Sequence, residues 1–501
     1  MAIKRYYASK DNTITNAFEE NLKTRATDAN MGASDILEVF SIYGQASSAS
    51  AEASRVLIKF DCTASTNSIQ ADRTAGVIPA SGSVSFYLRL YNAPHGQTLP
   101  KSYTMDVSAV SGSWTEGTGL DMELYKDKGS SNWVSSSDGN AWTTTGGDYF
   151  TDTSSSFTAS FDDGTEDIEL DITPLVEQWV NSAGNVLGSK EDEGVGIRIS
   201  SAFETAARSY YTKKFFARGT EFFFKKPCIE ARWNSSIKDN RGRFYYSSSL
   251  ATPQENIQTI YLYNYFRGRL RNIPSIGTGS IYVNIYSGSS GVPTGDPITL
   301  VADGVHVNSS SPTFVTGGFV SKGIYSASFA LTAAASPLEV VYDVWNNGAG
   351  TQYYTGSFEP IVLFPYSTAP SEEYFTTITN LRHSYRDNET ARFRVYTRQK
   401  DWNPTIYTRA VATPEVQIVD SGSYEIYRVI DDLKVVPYGT GSDNHTIMSY
   451  DASGSYFDLD MSMLETGYSY GIKLSFYNED VGAFVEQPET FKFKVESRQN
   501  K

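Results

Sequence analysis

Apolar and polar side chains alternate one for one along much of this chain, and that period of two restricts what it can fold into. Val84, Phe86, Leu88 and Leu90 interleave with Ser85, Tyr87, Arg89 and Tyr91, and Ile168, Leu170 and Ile172 with Glu169 and Asp171. Val195, Ile197 and Ile199 keep the same beat, as do Ile472, Leu474 and Phe476; Phe491, Phe493 and Val495 alternate with Lys492 and Lys494. A period of two sends one face of a strand into a core and the other into water, whereas a helix needs a period near 3.6. Clusters of Gly, Ser, Asn and Asp separate the runs, as in sandwiches and barrels. The 34 Tyr, 27 Phe and 39 Gly agree, since aromatics suit a pleated half-buried surface and glycine suits turns.

The expectation is an all-β protein of three β-sandwich domains in series. At roughly 100–200 residues per domain, 501 residues accommodate three, each able to bury a core without disulfides. Polar, turn-rich stretches at 234–242 and 366–373 put the domains at 1–235, 240–368 and 370–501. A short helix is expected within residues 14–24. A second follows Asp171, with Thr173 as cap, Pro174 in the first helical position, and Leu175, Val176 and Trp179 on one apolar face; it is read as the single helix closing a β-domain. Cys62 and Cys228 read better as two buried thiols than as a bridge. A net charge of −15 argues against nucleic acid as a partner, because phosphate binding needs a basic footprint. No apolar stretch approaches the roughly 18–20 residues of a membrane span. The first ten residues lack the apolar segment of a signal peptide. The chain is therefore expected to have no membrane partner and to be made in a cytoplasm.

Catalytic, cofactor-binding and metal sites are expected to be absent. His95, His306, His383 and His445 lie far apart on turn-like segments and read as surface or loop residues; no pair has zinc spacing and the cysteines form no CxxC. There is no G-x-S-x-G elbow or phosphate loop, and residues 287–291 read as a turn between strands. Asp162-Asp-Gly-Thr-Glu-Asp167 offers oxygens to calcium, but Asp-Gly ahead of a strand is ordinary hairpin chemistry. Glu191-Asp-Glu193 reads as a solvated loop. With 57 acidic residues a carboxylate pair for sugar hydrolysis can always be drawn, and none is distinctively flanked. Trp114, Trp133 and Trp142 lie in a loop-rich stretch that suits a sugar-stacking platform, although rings of that size mostly bury.

Six segments in order resemble the DNRLRE family, a jelly-roll-like β-sandwich of cell-surface and extracellular proteins. They are residues 27–39, Ser54-Arg-Val-Leu-Ile-Lys-Phe-Asp61, residues 83–91, Trp114-Thr-Glu116, Asp171-Ile-Thr-Pro-Leu-Val-Glu-Gln-Trp179, and residues 215–221 with 226–230. The resemblance covers the first 233 residues and implies a jelly-roll-like first domain. Residues 392–408 are similar to segments of structural proteins of tailed marine phages. Leu464-Glu-Thr-Gly-Tyr-Ser-Tyr470 resembles the tyrosine corner of Ig-like and fibronectin-like sandwiches. Together these imply a non-enzymatic virion structural protein of a tailed phage, assembled in the host cytoplasm. It would be tail-associated (fibre, baseplate or neck/collar) in preference to a capsid decoration. Its partners would be other virion proteins and copies of itself, with loop-borne Tyr, Trp and Arg as anchors; no cofactor, nucleic acid or membrane is implied. The alternative is a carbohydrate-binding surface protein that uses the first domain on a host surface glycan.

Overall fold

A computed structural model describes residues 2–43, 51–96, 100–120, 123–180, 187–204, 210–289, 291–301, 313–332, 337–365, 373–402, 406, 416–441 and 443–498. The chain forms two compact units: Ala2–Asn234 with Asp443–His445, and the remainder from Ser235 onward. Both are β-built, as the alternation requires. Among the described residues no helix is long and apolar enough to cross a membrane.

The N-terminal unit contains β1 (Ile3–Tyr7), β2 (Lys10–Thr15), β3 (Ile36–Tyr43), β4 (Ala51–Lys59), β5 (Ser85–Leu90), β6 (Tyr103–Ala109), β7 (Ser135–Ser137), β8 (Asn140–Ala141), β9 (Ser156–Phe161), β10 (Ile168–Asp171), β11 (Val195–Ile199), β12 (Tyr210–Phe216) and β13 (Cys228–Arg232). They make a four-stranded sheet, β1-β13-β5-β10, and a seven-stranded one, β12-β3-β4-β11-β6-β9 with β2 on β4. Phe86, Leu88 and Leu90 of the first sheet share one core with Val56, Ile58, Val107 and Ile197 of the second.

The expected helix within residues 14–24 is absent. Thr13, Ile14 and Thr15 are β-branched, and they extend β2 against β4, with Thr13 opposite Val56 and Thr15 opposite Ser54. Asn16 ends the strand by accepting from the Ala53 amide through its side chain. The expected helix after Asp171 is present as α2 (Thr173–Val180), although an earlier helix, α1 (Ile69–Thr74), means that it is not alone. Ser68 caps α1 by accepting from the Ala71 amide. Thr173 does not cap α2. Its hydroxyl accepts from the Phe86 amide of the neighbouring sheet, and Asp171 accepts from the Thr173 amide instead.

The C-terminal unit begins with β14 (Gln258–Tyr263), β15 (Tyr265–Phe266), β16 (Arg269–Leu270), β17 (Ile281–Ser289), β18 (Val292–Thr294), β19 (Val315–Ser321), β20 (Ile324–Phe329), β21 (Val341–Asn346) and β22 (Gln352–Phe358). Seven of these hydrogen-bond into one antiparallel sheet, β14-β20-β19-β17-β21-β22 with β18 on β17, while β15 and β16 form a separate hairpin. The apolar face carries Ile260, Val283, Phe329 and Trp345, and Phe244 and Tyr246 pack on the same core. Asp343 lies between Val341 and Trp345 in β21. It accepts from the Arg241 guanidinium at 2.6 Å and from the Trp345 indole at 2.7 Å.

The unit continues with β23 (Tyr374–Ile378), β24 (Ser384–Arg386), β25 (Thr390–Gln399), β26 (Gly422–Arg428), β27 (Leu433–Val436), β28 (Ser449–Asp451), β29 (Gly454–Asp460), β30 (Ser469–Asn478), β31 (Ala483–Glu486) and β32 (Phe491–Glu496). One sheet is β23-β25-β29-β28 and the other β24-β32-β30-β26-β27, with β24 parallel to β32. Read as A-B-E-D against A′-G-F-C-C′, this is the immunoglobulin strand order. The tyrosine corner forms: buried Tyr470 donates its hydroxyl to the Glu465 carbonyl at 2.8 Å. Ile472, two residues on, stands where antibody domains carry their second cysteine. In place of a bridge the core holds a stack of rings, with Tyr424 4.0 Å and Phe393 5.1 Å from Phe457. Tyr470→Phe is expected to cost about 1 kcal/mol, read as a lower urea midpoint for this unit.

Candidate interaction surface

Among the described residues, the side chains that the sequence singles out lie in several separate places. No group of three or more His, Cys, Asp or Glu side chains is arranged to hold a metal among the described residues. His383 is exposed. His95 lines an open hollow beside Glu38 and Lys214, where burial and then the Lys214 charge hold its imidazole below the usual range. His445 corrects the surface reading: it lies in a turn but is buried, 3.3 Å from Asp443. His306 falls outside the described residues. Cys62 and Cys228 are buried free thiols. Around residues 287–291, β17 and β18 pair as the expected hairpin, with position 290 outside the described residues. Of the acidic trio Glu191-Asp-Glu193, read as a solvated loop, Glu191 is exposed and the other two are half-buried. Asp192 accepts from the Cys62 amide, and burial raises its carboxyl to about 6; Glu193 pairs with Lys59 at 2.8 Å.

The acidic turn at 162–167 already holds a cation from its own chain. The Lys213 ammonium, on β12 and fully buried, donates to the Gly164 carbonyl at 3.0 Å and the Glu166 carbonyl at 2.7 Å. It also sits 4.7 Å from the Phe161 ring. Glu166 turns its carboxylate back onto the Asp162 and Asp163 amides. Two carbonyls of the kind calcium would use are thus occupied by nitrogen. Burial holds the Lys213 amine down at about 8, against the pull of Glu166 and Asp167. Lys213→Ala leaves both carbonyls without this donor and opens a void, so a loss of about 2–4 kcal/mol is expected in thermal or urea unfolding.

Trp114, Trp133 and Trp142 are all buried and pack together with Ile14, Leu57 and Val110. Trp114 donates to the Glu193 carbonyl and Trp142 to the Asn132 carbonyl. Arg55 lies over Trp133 at 5.0 Å. The rings form a second small core and do not present their faces to a sugar.

The largest departure from simple alternation is on the outer face of β1-β13-β5-β10. There Glu230 is fully buried and bonded to Arg5 at 2.8 Å and Arg232 at 2.6 Å, with Arg89 at 3.5 Å. Arg232 and Arg89 also pair with Glu169 at 2.6 Å and 2.9 Å. Burial alone would raise the Glu230 carboxyl; the three guanidiniums outweigh it and hold it down at about 2. A face expected in water is instead closed by a charge ladder.

A surface that the sequence reading missed lies between β14 and β17. Residues 264–272 form a tight hairpin whose turn residues Arg267 and Gly268 have φ of 50° and 74°. Two positive φ values in a two-residue turn match the right-handed twist of a hairpin. Its base is fixed from both sides. The Asn264 side-chain amide donates to the Arg271 carbonyl and the Arg271 amide returns to the Asn264 carbonyl. The Asn264 amide donates to the Gly323 carbonyl, and the Gly323 amide to the Asn272 side chain. A Cβ on Gly323 would stand 2.5 Å from the Arg271 nitrogen, so the two turns fit only with glycine there. From this base Tyr265 and Phe266 project 57 % and 52 % exposed. The Arg267 and Arg271 guanidiniums each lie 5.4 Å from the Phe266 ring. Arg269 and, on the adjoining turn, Lys322 are exposed as well. None of these four cations is in a salt bridge among the described residues. The signal was present as Arg267-Gly-Arg-Leu-Arg271, three arginines in five residues of an acidic chain.

The immunoglobulin-like part carries a surface of opposite character. A hollow of about 330 Å³ is lined by Glu373, Tyr374, Phe375, Tyr477, Glu486 and Glu489, among others, with Lys400 the one basic group. Phe375 and Tyr477 are each 43 % exposed. One carboxylate oxygen of Glu489 is buried without a hydrogen-bond partner among the described residues.

No protein-family model matches the chain, and no curated protein matches it. Among solved structures, tandem Ig repeats of Dlar are 10 % identical over 44 % of this chain and 90 % of that one, with a TM-score of 0.13. The N-terminal Ig1-2 module of the Drosophila receptor protein tyrosine phosphatase DLAR is 8 % identical over 48 % and 90 %, with a TM-score of 0.14. At such scores the likeness carries no argument. The immunoglobulin assignment of the C-terminal sheets rests on their own strand order and corner.

Proposed function

We propose that the chain is a non-enzymatic structural component of a tailed-phage virion, tail-associated, which works by docking rigid β-modules onto other virion proteins and onto copies of itself. The observation that carries the docking is the 264–272 hairpin. Arginine and aromatic side chains are those enriched at protein contacts, and here they stand on a hydrogen-bonded base that is ordered before any partner arrives. Pre-organisation of this kind lowers the entropy lost on binding. The virion setting rests on the likeness of residues 392–408 to phage structural segments; residues 392–399 of that stretch lie in the strand β25 (Thr390–Gln399), and 403–405 and 407–408 fall outside the described residues. Quantitative mass spectrometry of gradient-purified particles tests the reading. Many copies per particle are expected, and absence from intact particles overturns it.

A further inference from the structure

We propose that the Tyr265–Arg271 hairpin of one copy docks into the acidic aromatic hollow of a second copy, so that the chain associates head to tail. This rests on the docking role above and names its partner. The two surfaces are complementary in charge and in shape of chemistry. The hairpin offers Arg267, Arg269 and Arg271, flanked by Lys322, without a carboxylate partner among the described residues, and two exposed rings. The hollow offers Glu373, Glu486 and Glu489 around Tyr374, Phe375 and Tyr477.

Its own cations neutralise the hollow only in part. Lys400 pairs with Glu373 at 2.7 Å and Lys473 with Glu486 at 3.2 Å, whereas one buried Glu489 oxygen has no donor among the described residues. An arginine entering the hollow meets the exposed carboxylates of Glu373 and Glu486 and a ring to stack on. Within one copy the hairpin rings are exposed and the hollow is open, so neither fills the other. Two copies repel through their net charge, so self-association has to come from the local pairing of these two opposite patches. With a net charge of −15 the chain presents itself as an acidic body, and the hairpin is a basic exception to it. A contact between two different patches leaves one of each free at the ends of a pair. It therefore propagates into a ring or a filament, as a repeated particle subunit requires.

Sedimentation velocity of the full chain across a concentration series, in low salt and in about 0.5 M salt, provides the test. Concentration-dependent oligomers are expected in low salt and their dissociation in high salt. Arg267→Glu/Arg269→Glu/Arg271→Glu should weaken association by at least about tenfold, the loss of one good charge pair. Glu486→Lys/Glu489→Lys should do the same. Mixing the two variants should restore oligomers, because each reversed patch then meets its opposite. Circular dichroism and melting curves confirm that both variants remain folded. A wild-type chain that stays monomeric at every concentration overturns the proposal. So does association that both reversals leave unchanged, or a hairpin that binds a single-stranded oligonucleotide but not a second copy. A monomeric chain that is still found in purified particles overturns the self-docking alone and leaves the virion reading standing.

Discussion

Replacing Glu230 by glutamine is expected to lower the stability of the N-terminal unit by about 3–5 kcal/mol, the range for breaking a buried ion pair from one side. Glutamine keeps the shape and removes the charge, leaving Arg5, Arg89 and Arg232 to face one another on β1, β5 and β13. Five of the seven tryptophans, Trp114, Trp133, Trp142, Trp179 and Trp233, lie in this unit, so the urea midpoint by tryptophan fluorescence reports on it. A change below about 1 kcal/mol would mean that the ladder is not a stabilising element.

The same group sets an acid limit. Glu230 ionises near 2 in the folded unit against an ordinary value of 4.5. The unfolded chain therefore binds the proton first as pH falls. The stabilisation, about 3 kcal/mol, is complete above 4.5 and is lost as pH falls through 4.5 toward 2. Two other carboxyls act in the opposite sense. Burial raises Asp11 to about 7, against the amide and charge of Arg218, and raises Asp192 to about 6. Their folded forms bind protons first, so their stabilisation is complete below the ordinary 3.8 and is lost as pH rises through 6 and 7. Stability of the unit should thus rise from pH 7 to about 5 and fall steeply below about 4. In Glu230→Gln the acid fall should shrink, leaving the part carried by Asp152, Glu166 and Asp443, which are also held below their ordinary values, while the gain from 7 to 5 remains.

Arg241→Ala is the second large effect, also about 3–5 kcal/mol, in the C-terminal unit. Asp343 has a fully buried side chain, and Arg241 is the cation that compensates it at 2.6 Å. Without the guanidinium, the carboxylate keeps the Trp345 indole and little else to offset its desolvation. Burial already raises the Asp343 carboxyl, with Arg241 opposing, so the variant's pKa should climb further. Its deficit should be largest at neutral pH and shrink as pH falls and the carboxyl protonates. Asp343→Asn in the same background should recover most of the loss, because the buried charge is then gone. A single variant whose urea midpoint stays at the wild-type value would contradict this.

What the sequence made legible was what repeats locally. Period two told which residues of β5, β11 and β30 face inward, since Phe86, Ile197 and Leu474 are all fully buried. The resemblance of Leu464–Tyr470 to a tyrosine corner is matched by the hydrogen bond from the Tyr470 hydroxyl to the Glu465 carbonyl. What remained hidden depends on partners far along the chain. Alternation sends Arg89 and Glu230 outward, and nothing local says that Arg5 will stand beside Glu230 across β1 and β13. The acidic turn offers oxygens to a cation in sequence, but the cation that fills it, Lys213, comes from another strand and is not visible locally. Residues 14–24 looked helical because a short window cannot register that β4 offers Thr13–Thr15 a ladder. The hairpin was legible in principle, but three arginines vanish inside a total of −15.

If the β-modules dock as proposed, their exterior, and the 264–272 hairpin first, is buried against protein in the assembled particle. Oxidative footprinting of Tyr265 and Phe266, read by mass spectrometry on intact particles and on the free chain, measures that burial directly. Strong protection of both rings in particles, with ready labelling in the free chain, is the predicted result. Equal labelling in the two states would contradict it.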